Sequence, residues 1–178
     1  MTHPNRAYLG LGSNRDRPHR QLTKAIGHIN HLPGTHIVQL APRYRTEAWG
    51  FTEQPDFINT VIAIQTTLTP MHLLKCIKRI EYRLMGRQRN KRWHSRCIDI
   101  DILYYSRQPF RRASLQLPHP HMPRRCFVLR PLLDCDPECL PRTTAQKITI
   151  RKNLCKHLRS QRHWLETHKI RQICHRSP

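Results

Sequence analysis

No run in this chain approaches the ~20 apolar residues that a helix needs to cross a bilayer. The N-terminal Met1-Thr2-His3-Pro4-Asn5-Arg6 lacks the apolar core of a secretory signal, so a soluble, cytosolic protein is expected. Acids are scarce: 11 Asp and Glu stand against 32 Lys and Arg, giving a formal charge of +21 at pH 7. That imbalance suits a polyanionic partner such as nucleic acid, an anionic membrane or nucleotides, or else a bias towards Arg on solvated faces, because the basic residues are dispersed. Paired cysteine spacing is missing too. Cys135 and Cys139 are separated by three residues and no second such pair follows, whereas a structural zinc site normally shows two paired ligand groups. Cys126, Cys135, Cys139, Cys155 and His157 could be combined into a site, but free thiols in a reducing compartment are the simpler expectation. The 13 His are scattered, and no internal repeat is found.

What remains is enough for one domain with a buried core, its Leu and Ile distributed periodically through 178 residues. A single domain over 1–178 is expected, with a core over 7–140 and a basic helical extension over 141–178 that is partly disordered. Residues 7–11 read as a strand ending in the turn Gly12-Ser13-Asn14. Leu22, Ala25, Ile26, Ile29 and Leu32 recur at helical spacing over 18–32, up to Pro33-Gly34. Residues 36–41 with Tyr44-Arg45-Thr46 read as a second strand, 49–56 as a loop, and 57–66, rich in Val and Ile, as a third strand. Thr69-Pro70 supplies an N-cap and a first-turn proline for a helix carrying Leu73, Leu74, Ile77, Ile80 and Leu84, ended by Gly86. A basic stretch leads through Trp93 into a fourth strand. The order β-α-β-β-α-β is the pattern of an α+β, ferredoxin-like sandwich, an antiparallel sheet with helices packed on it. Residues 118–123 form a Pro/His-rich loop, followed by the apolar segments Phe127-Val128-Leu129 and Pro131-Leu132-Leu133.

The acidic island lies in that fourth strand, Ile98-Asp99-Ile100-Asp101-Ile102-Leu103. Alternation puts the three Ile on one face and the two Asp on the other, roughly 7 Å apart at ~3.3 Å rise per residue. Two carboxylates so placed repel each other unless a cation lies between them, and hard oxygen ligands on a rigid strand suit Mg²⁺ with phosphates completing its shell. Beside them, residues 86–96 hold five cations, Arg87, Arg89, Lys91, Arg92 and Arg96. Alone these form an exposed basic loop; next to the acids they suit the non-bridging oxygens of a triphosphate. Gly10-Leu11-Gly12-Ser13-Asn14 lacks both the third glycine of the dinucleotide fingerprint and a Gly-Lys-Ser/Thr, so a tight turn is favoured over a phosphate loop. Gln54-Pro55-Asp56-Phe57-Ile58-Asn59 and Phe127 offer rings and an amide that would hold a flat heteroaromatic ligand, or two ordinary core Phe residues.

These segments, in this order, resemble the 6-hydroxymethyl-7,8-dihydropterin pyrophosphokinase family of folate biosynthesis. The stretches that carry the resemblance are Tyr8-Leu9-Gly10-Leu11-Gly12-Ser13-Asn14, Tyr44-Arg45-Thr46, Gln54 to Asn59, Ile80-Glu81 with Gly86-Arg87, and Arg92-Trp93 with Arg96. Ile98 to Leu103, Pro118-His119 and Arg125-Cys126-Phe127-Val128-Leu129 complete it. The resemblance implies transfer of a pyrophosphoryl group from ATP to the pterin's hydroxymethyl oxygen, releasing AMP. It implies two Mg²⁺ ions on Asp99 and Asp101, and ATP contacts from Glu81, Arg96, His119 and Arg125. Arg87 and Arg89 join the catalytic phosphate contacts on a lid that Trp93 closes. The pterin falls to Thr46, Phe57, Asn59, Trp93 and Phe127. His94-Ser95 stands where the family usually has Gly-Pro, and Glu47 where Pro is common. ATP and a pterin alcohol are the expected partners, with no membrane, no specific nucleic acid and a monomeric state. The competing reading, a basic nucleic-acid-binding module on the same fold, would require the aromatic-rich Gly-Phe-Val-like strand of RNA-binding domains, which this sequence lacks.

Overall fold

The computed structural model describes residues 3–47, 54–87, 95–106 and 109–139. Its elements run β1 (Asn5–Ser13), α1 (Pro18–Asn30), β2 (Thr35–Leu40), β3 (Tyr44–Thr46), β4 (Phe57–Thr66), α2 (Pro70–Arg79), β5 (Asp99–Tyr105), β6 (Phe110–Arg112), β7 (Leu115–Leu117) and α3 (Cys126–Cys135). The main sheet has the order β2-β4-β1-β5, with β3 also pairing with β4, and all of its pairings are antiparallel. The fold is therefore α+β, an antiparallel sheet with helices packed on it.

Each helix packs by its apolar period. Leu22, Ala25 and Ile29 of α1, and Leu73 and Ile77 of α2, are buried on one face of the sheet against Leu9, Leu11, Ile62, Ile64 and Ile100. Pro70 opens α2 and Thr69 caps it, its hydroxyl accepting from the His72 N–H. The helix then widens into a π-turn, Ile80–Leu84, and Gly86, at φ +64°, turns the chain away. The second face is covered by α3, where Val128, Leu129, Leu132 and Cys135 meet Tyr8, Val61, Ala63 and Leu103.

Three features differ from the sequence reading. The expected second strand is two, because residues 41–43, with a proline that has no N–H to give the ladder, separate β2 from β3. Gly12 and Ser13 continue β1 rather than forming a turn. The apolar segments after residue 126 form one helix, α3, despite Pro131 within it, and the hairpin of β6 and β7 precedes it. The extension over 141–178 lies outside the described residues.

Tyr44 of β3 donates to Asp134 of α3, which also pairs with Arg130 at 3.0 Å. Burial, then the Asp134 carboxylate, pushes the Tyr44 phenol up to about 12. The unfolded phenol ionises near its ordinary 10, so the native state holds this proton longer, and the resulting stability is complete below pH 10 and lost as pH rises towards 12. Urea melts across that window should show a steeper alkaline fall for the wild-type chain than for Tyr44→Phe; identical slopes would refute the assignment.

Candidate active site

Strand alternation decides which side chains reach the α3 face. From β1 it takes Gly10 and Gly12, from β4 Phe57 and Asn59, from β5 Asp99, Asp101 and Leu103, while Ile98, Ile100 and Ile102 turn to the opposite core. These residues line a cleft of about 240 Å³. Gly12 pairs with Asn59 on one side and Asp99 on the other, so the backbones that carry amide and carboxylate stand about 10 Å apart, two strand spacings, across a floor without side chains. The bare floor is a steric requirement. A Cβ on Gly12 would lie 2.6 Å from Asn59 Oδ1.

Asn59 is buried, and its Nδ2 donates to Thr46 Oγ1 at 2.8 Å, fixing the amide's orientation towards the cleft. Phe57 and Phe127 also line the cleft, as do Thr46, Gln54 and His121. On the other side, Arg96 Nη1 and Arg87 Nη1 each lie 2.7 Å from Asp99, on different carboxylate oxygens. Arg125 Nη1 lies 3.2 Å from Asp101 Oδ2, and His119 Nε2 stands 3.9 Å from the same oxygen. Burial lowers the His119 pKa from its ordinary value, with Asp101 opposing that shift.

Of the residues singled out in the sequence, Thr46, Phe57, Asn59, Arg96, Asp99, Asp101, Arg125 and Phe127 meet at one cleft. Arg87 and His119 stand behind the carboxylates. Arg89 and Trp93 lie outside the described residues. Glu81, expected at the nucleotide, is fully enclosed and is not among the residues that line the cleft. Its carboxylate accepts from Lys78 Nζ at 2.6 Å, from the Ile100 N–H at 2.8 Å and from Arg87. Burial pushes the Glu81 carboxyl up, Lys78 and Arg87 pulling it back, while Asp99 and Glu81 raise the Arg87 guanidinium above its usual value against desolvation. Gln54, His121 and the glycine floor were not marked as site residues by the sequence. The Gly10 and Gly12 spacing carried a signal, since two glycines two apart in a strand share a face and bare it.

The donor set fits a hard divalent cation. Two strand carboxylates, 28% and 34% exposed, face the cleft, yet no group of three or more His, Cys, Asp or Glu able to hold a metal occurs among the described residues. Such a pair holds Mg²⁺ well only when substrate phosphates and water complete the shell. No helix among the described residues is long and apolar enough to cross a membrane.

An antiparallel α+β sheet thus sets paired carboxylates among guanidiniums, opposite an amide and two rings. The model of the 7,8-dihydro-6-hydroxymethylpterin-pyrophosphokinase (HPPK) family matches residues 8–137, and the chain belongs to that family. Proteins named 2-amino-4-hydroxy-6-hydroxymethyldihydropteridine pyrophosphokinase are similar to it. The one from Methylorubrum extorquens is 44% identical over 75% of this chain and 84% of its own length. The Pseudomonas aeruginosa protein is 40% identical over 75% of this chain and 82% of its own. The wild-type Plasmodium falciparum HPPK-DHPS crystal structure with pteroate shares the fold at a TM-score of 0.65 and 17% identity, covering 93% of this chain. This chain spans only 44% of that longer one.

Proposed function

We propose that the chain transfers an intact pyrophosphoryl group from ATP to the hydroxymethyl oxygen of 6-hydroxymethyl-7,8-dihydropterin, in folate biosynthesis, through the cleft between β1, β4, β5 and α3. The observation that carries this reading is the single row Asn59–Gly12–Asp99, which sets a heterocycle-reading amide and a phosphate-side carboxylate across a bare floor. In the transfer the hydroxymethyl oxygen forms a bond to the β-phosphorus of ATP, the bond from that phosphorus to the α,β-bridging oxygen breaks, and AMP leaves with the bridging oxygen. The hydroxyl proton passes to solvent.

Asn59, held by Thr46, reads donor and acceptor groups on the pterin edge, and Phe57 and Phe127 flank its ring. Arg96 and Arg125 present guanidiniums for the non-bridging phosphate oxygens, and His119 supports the same side from behind Asp101. Arg87, anchored by Glu81, orients Asp99, which makes Glu81 a positioning residue rather than an ATP contact. Asp99 and Asp101 would hold two Mg²⁺ ions, which when bound neutralise charge on the bridging phosphate oxygens. Since nothing here requires a covalent intermediate, the residues act by positioning and charge stabilisation. The order β2-β4-β1-β5 supports a ferredoxin-like split βαβ arrangement, with β3 a continuation of β2 along β4. We take 7–140 as the catalytic unit and 141–178 as an extension to it.

Purified chain should release AMP from MgATP only when the pterin alcohol is present, in step with pterin diphosphate. Pterin-dependent ADP in place of AMP, or no pterin-dependent turnover, would overturn the reading.

A further inference from the structure

Asn14 closes the glycine-bearing segment of β1, and no role above uses it. It is buried, 4% exposed, and is not among the residues lining the cleft. Its polar groups grip two chain segments that reach the cleft from opposite sides. Asn14 Oδ1 accepts from the Arg96 N–H at 2.8 Å, and the Asn14 N–H donates to the Arg96 carbonyl at 3.2 Å. The same amide's Nδ2 donates to the Pro55 carbonyl at 3.0 Å and to Gln54 Oε1 at 3.2 Å, with Ser95 Oγ at 3.5 Å. Arg96 carries its guanidinium onto Asp99, on the phosphate side. Gln54 lines the cleft and, with Pro55, leads into Phe57 and Asn59, on the heterocycle side.

We propose that Asn14 is a positioning residue that couples the two substrate subsites, its carboxamide fixing the spacing between the Arg96 backbone and the Gln54-Pro55 segment. The inference rests on the pyrophosphokinase reading of the cleft. A side chain needed only to terminate β1 could do so with one bond to its own neighbourhood. This one instead bonds to residues 40 to 82 positions away in sequence, and the shortest bonds of its acceptor and donor ends go to opposite sides, to the Arg96 N–H and the Pro55 carbonyl. A ligand that fixes Arg96 thereby fixes one end of a rigid amide whose other end holds Gln54-Pro55, and the reverse follows by linkage. Transfer between two bound substrates is sensitive to such spacing, since a misplacement of ~1 Å can cost about 100-fold in rate.

The quantity to measure is the ratio of pterin affinities with and without Mg²⁺ and α,β-methylene-ATP, by calorimetry on the full chain, alongside steady-state kinetics and melting temperature. The wild-type ratio should exceed one, and Asn14→Ala should reduce it by about tenfold, within the usual 5–150-fold range of coupling between sites. Asn14→Asp keeps the acceptor for the Arg96 N–H but sets an oxygen against the Pro55 carbonyl. It should leave the KM for ATP near wild type, raise the KM for the pterin and bring the ratio towards one. A lowered melting temperature with an unchanged ratio would mean a merely structural role and would overturn the proposal, as would a wild-type ratio of one. If Asn14→Ala does not fold, the near-isosteric Asn14→Asp decides. Absence of AMP formation by the wild-type chain would instead defeat the underlying reading, so the two failures are distinguishable.

Discussion

Asp101→Ala is expected to lower turnover by at least ~1,000-fold, because a cation-holding carboxylate contributes several kcal/mol of charge stabilisation and each ~1.4 kcal/mol is tenfold in rate. The fold should survive the change. The Asp101 side chain is 34% exposed and its pairing with Arg125 at 3.2 Å is partly solvated, the kind of contact that contributes about 0–1 kcal/mol. Asp99 is a different case, since its two oxygens hold Arg87 and Arg96. Asp99→Ala should match the kinetic loss and add a fall in stability, as Arg96 loses its counter-charge and Arg87 keeps only Glu81. Single-turnover AMP formation and thermal melts on both variants check this; an Asp101→Ala enzyme with wild-type turnover would remove the metal assignment.

The largest stability effect is expected at Glu81. Its side chain is fully enclosed and serves three donors, one of them the backbone N–H of Ile100 in β5. Removing one partner of a buried ion pair typically costs about 3–5 kcal/mol, and here Arg87, 13% exposed, stays desolvated while Lys78, 43% exposed, returns to solvent. For a chain of this size each kcal/mol shifts the melting temperature by roughly 2–4 °C, so Glu81→Ala should melt about 10 °C or more below wild type. Glu81→Gln keeps an oxygen for the Ile100 N–H and Arg87 but turns an N–H₂ towards Lys78, and should fall between the two. Residual activity in the folded fraction should drop through Arg87 rather than through nucleotide affinity, visible as a lower kcat with KM for ATP little changed. A melting temperature within 2–3 °C of wild type would contradict the buried-cluster account.

The sequence carried these two residues unequally. Asp99 and Asp101 were visible because a period of two sorts a strand's faces without tertiary information, α1 because of its apolar period, and α2 because its period and its Thr69-Pro70 start agree. Glu81 was noticed only by resemblance, and its burial could not be read locally: the π-turn and the arrival of β5 create its surroundings. Gly12 was misread as a turn glycine, since its reason, the Asn59 amide on the neighbouring strand, lies 47 positions away. The helix α3 was hidden by Pro131, which removes a helical hydrogen bond that packing against Val61, Ala63 and Leu103 offsets. Arg125 could be named as a cation but not paired, because its partner Asp101 lies 24 positions away and the pairing depends on where α3 packs over β5.

The two-faced character of β5 also bears on how such a sequence can drift. Substitutions at Ile98, Ile100 and Ile102 are expected to alter packing under α2 and to register as changes in expression or melting temperature, while those at Asp101 are expected to register chiefly as changes in turnover. One short strand thus separates two heritable traits at alternate codons, and selection can adjust the robustness of the scaffold without touching the chemistry it displays.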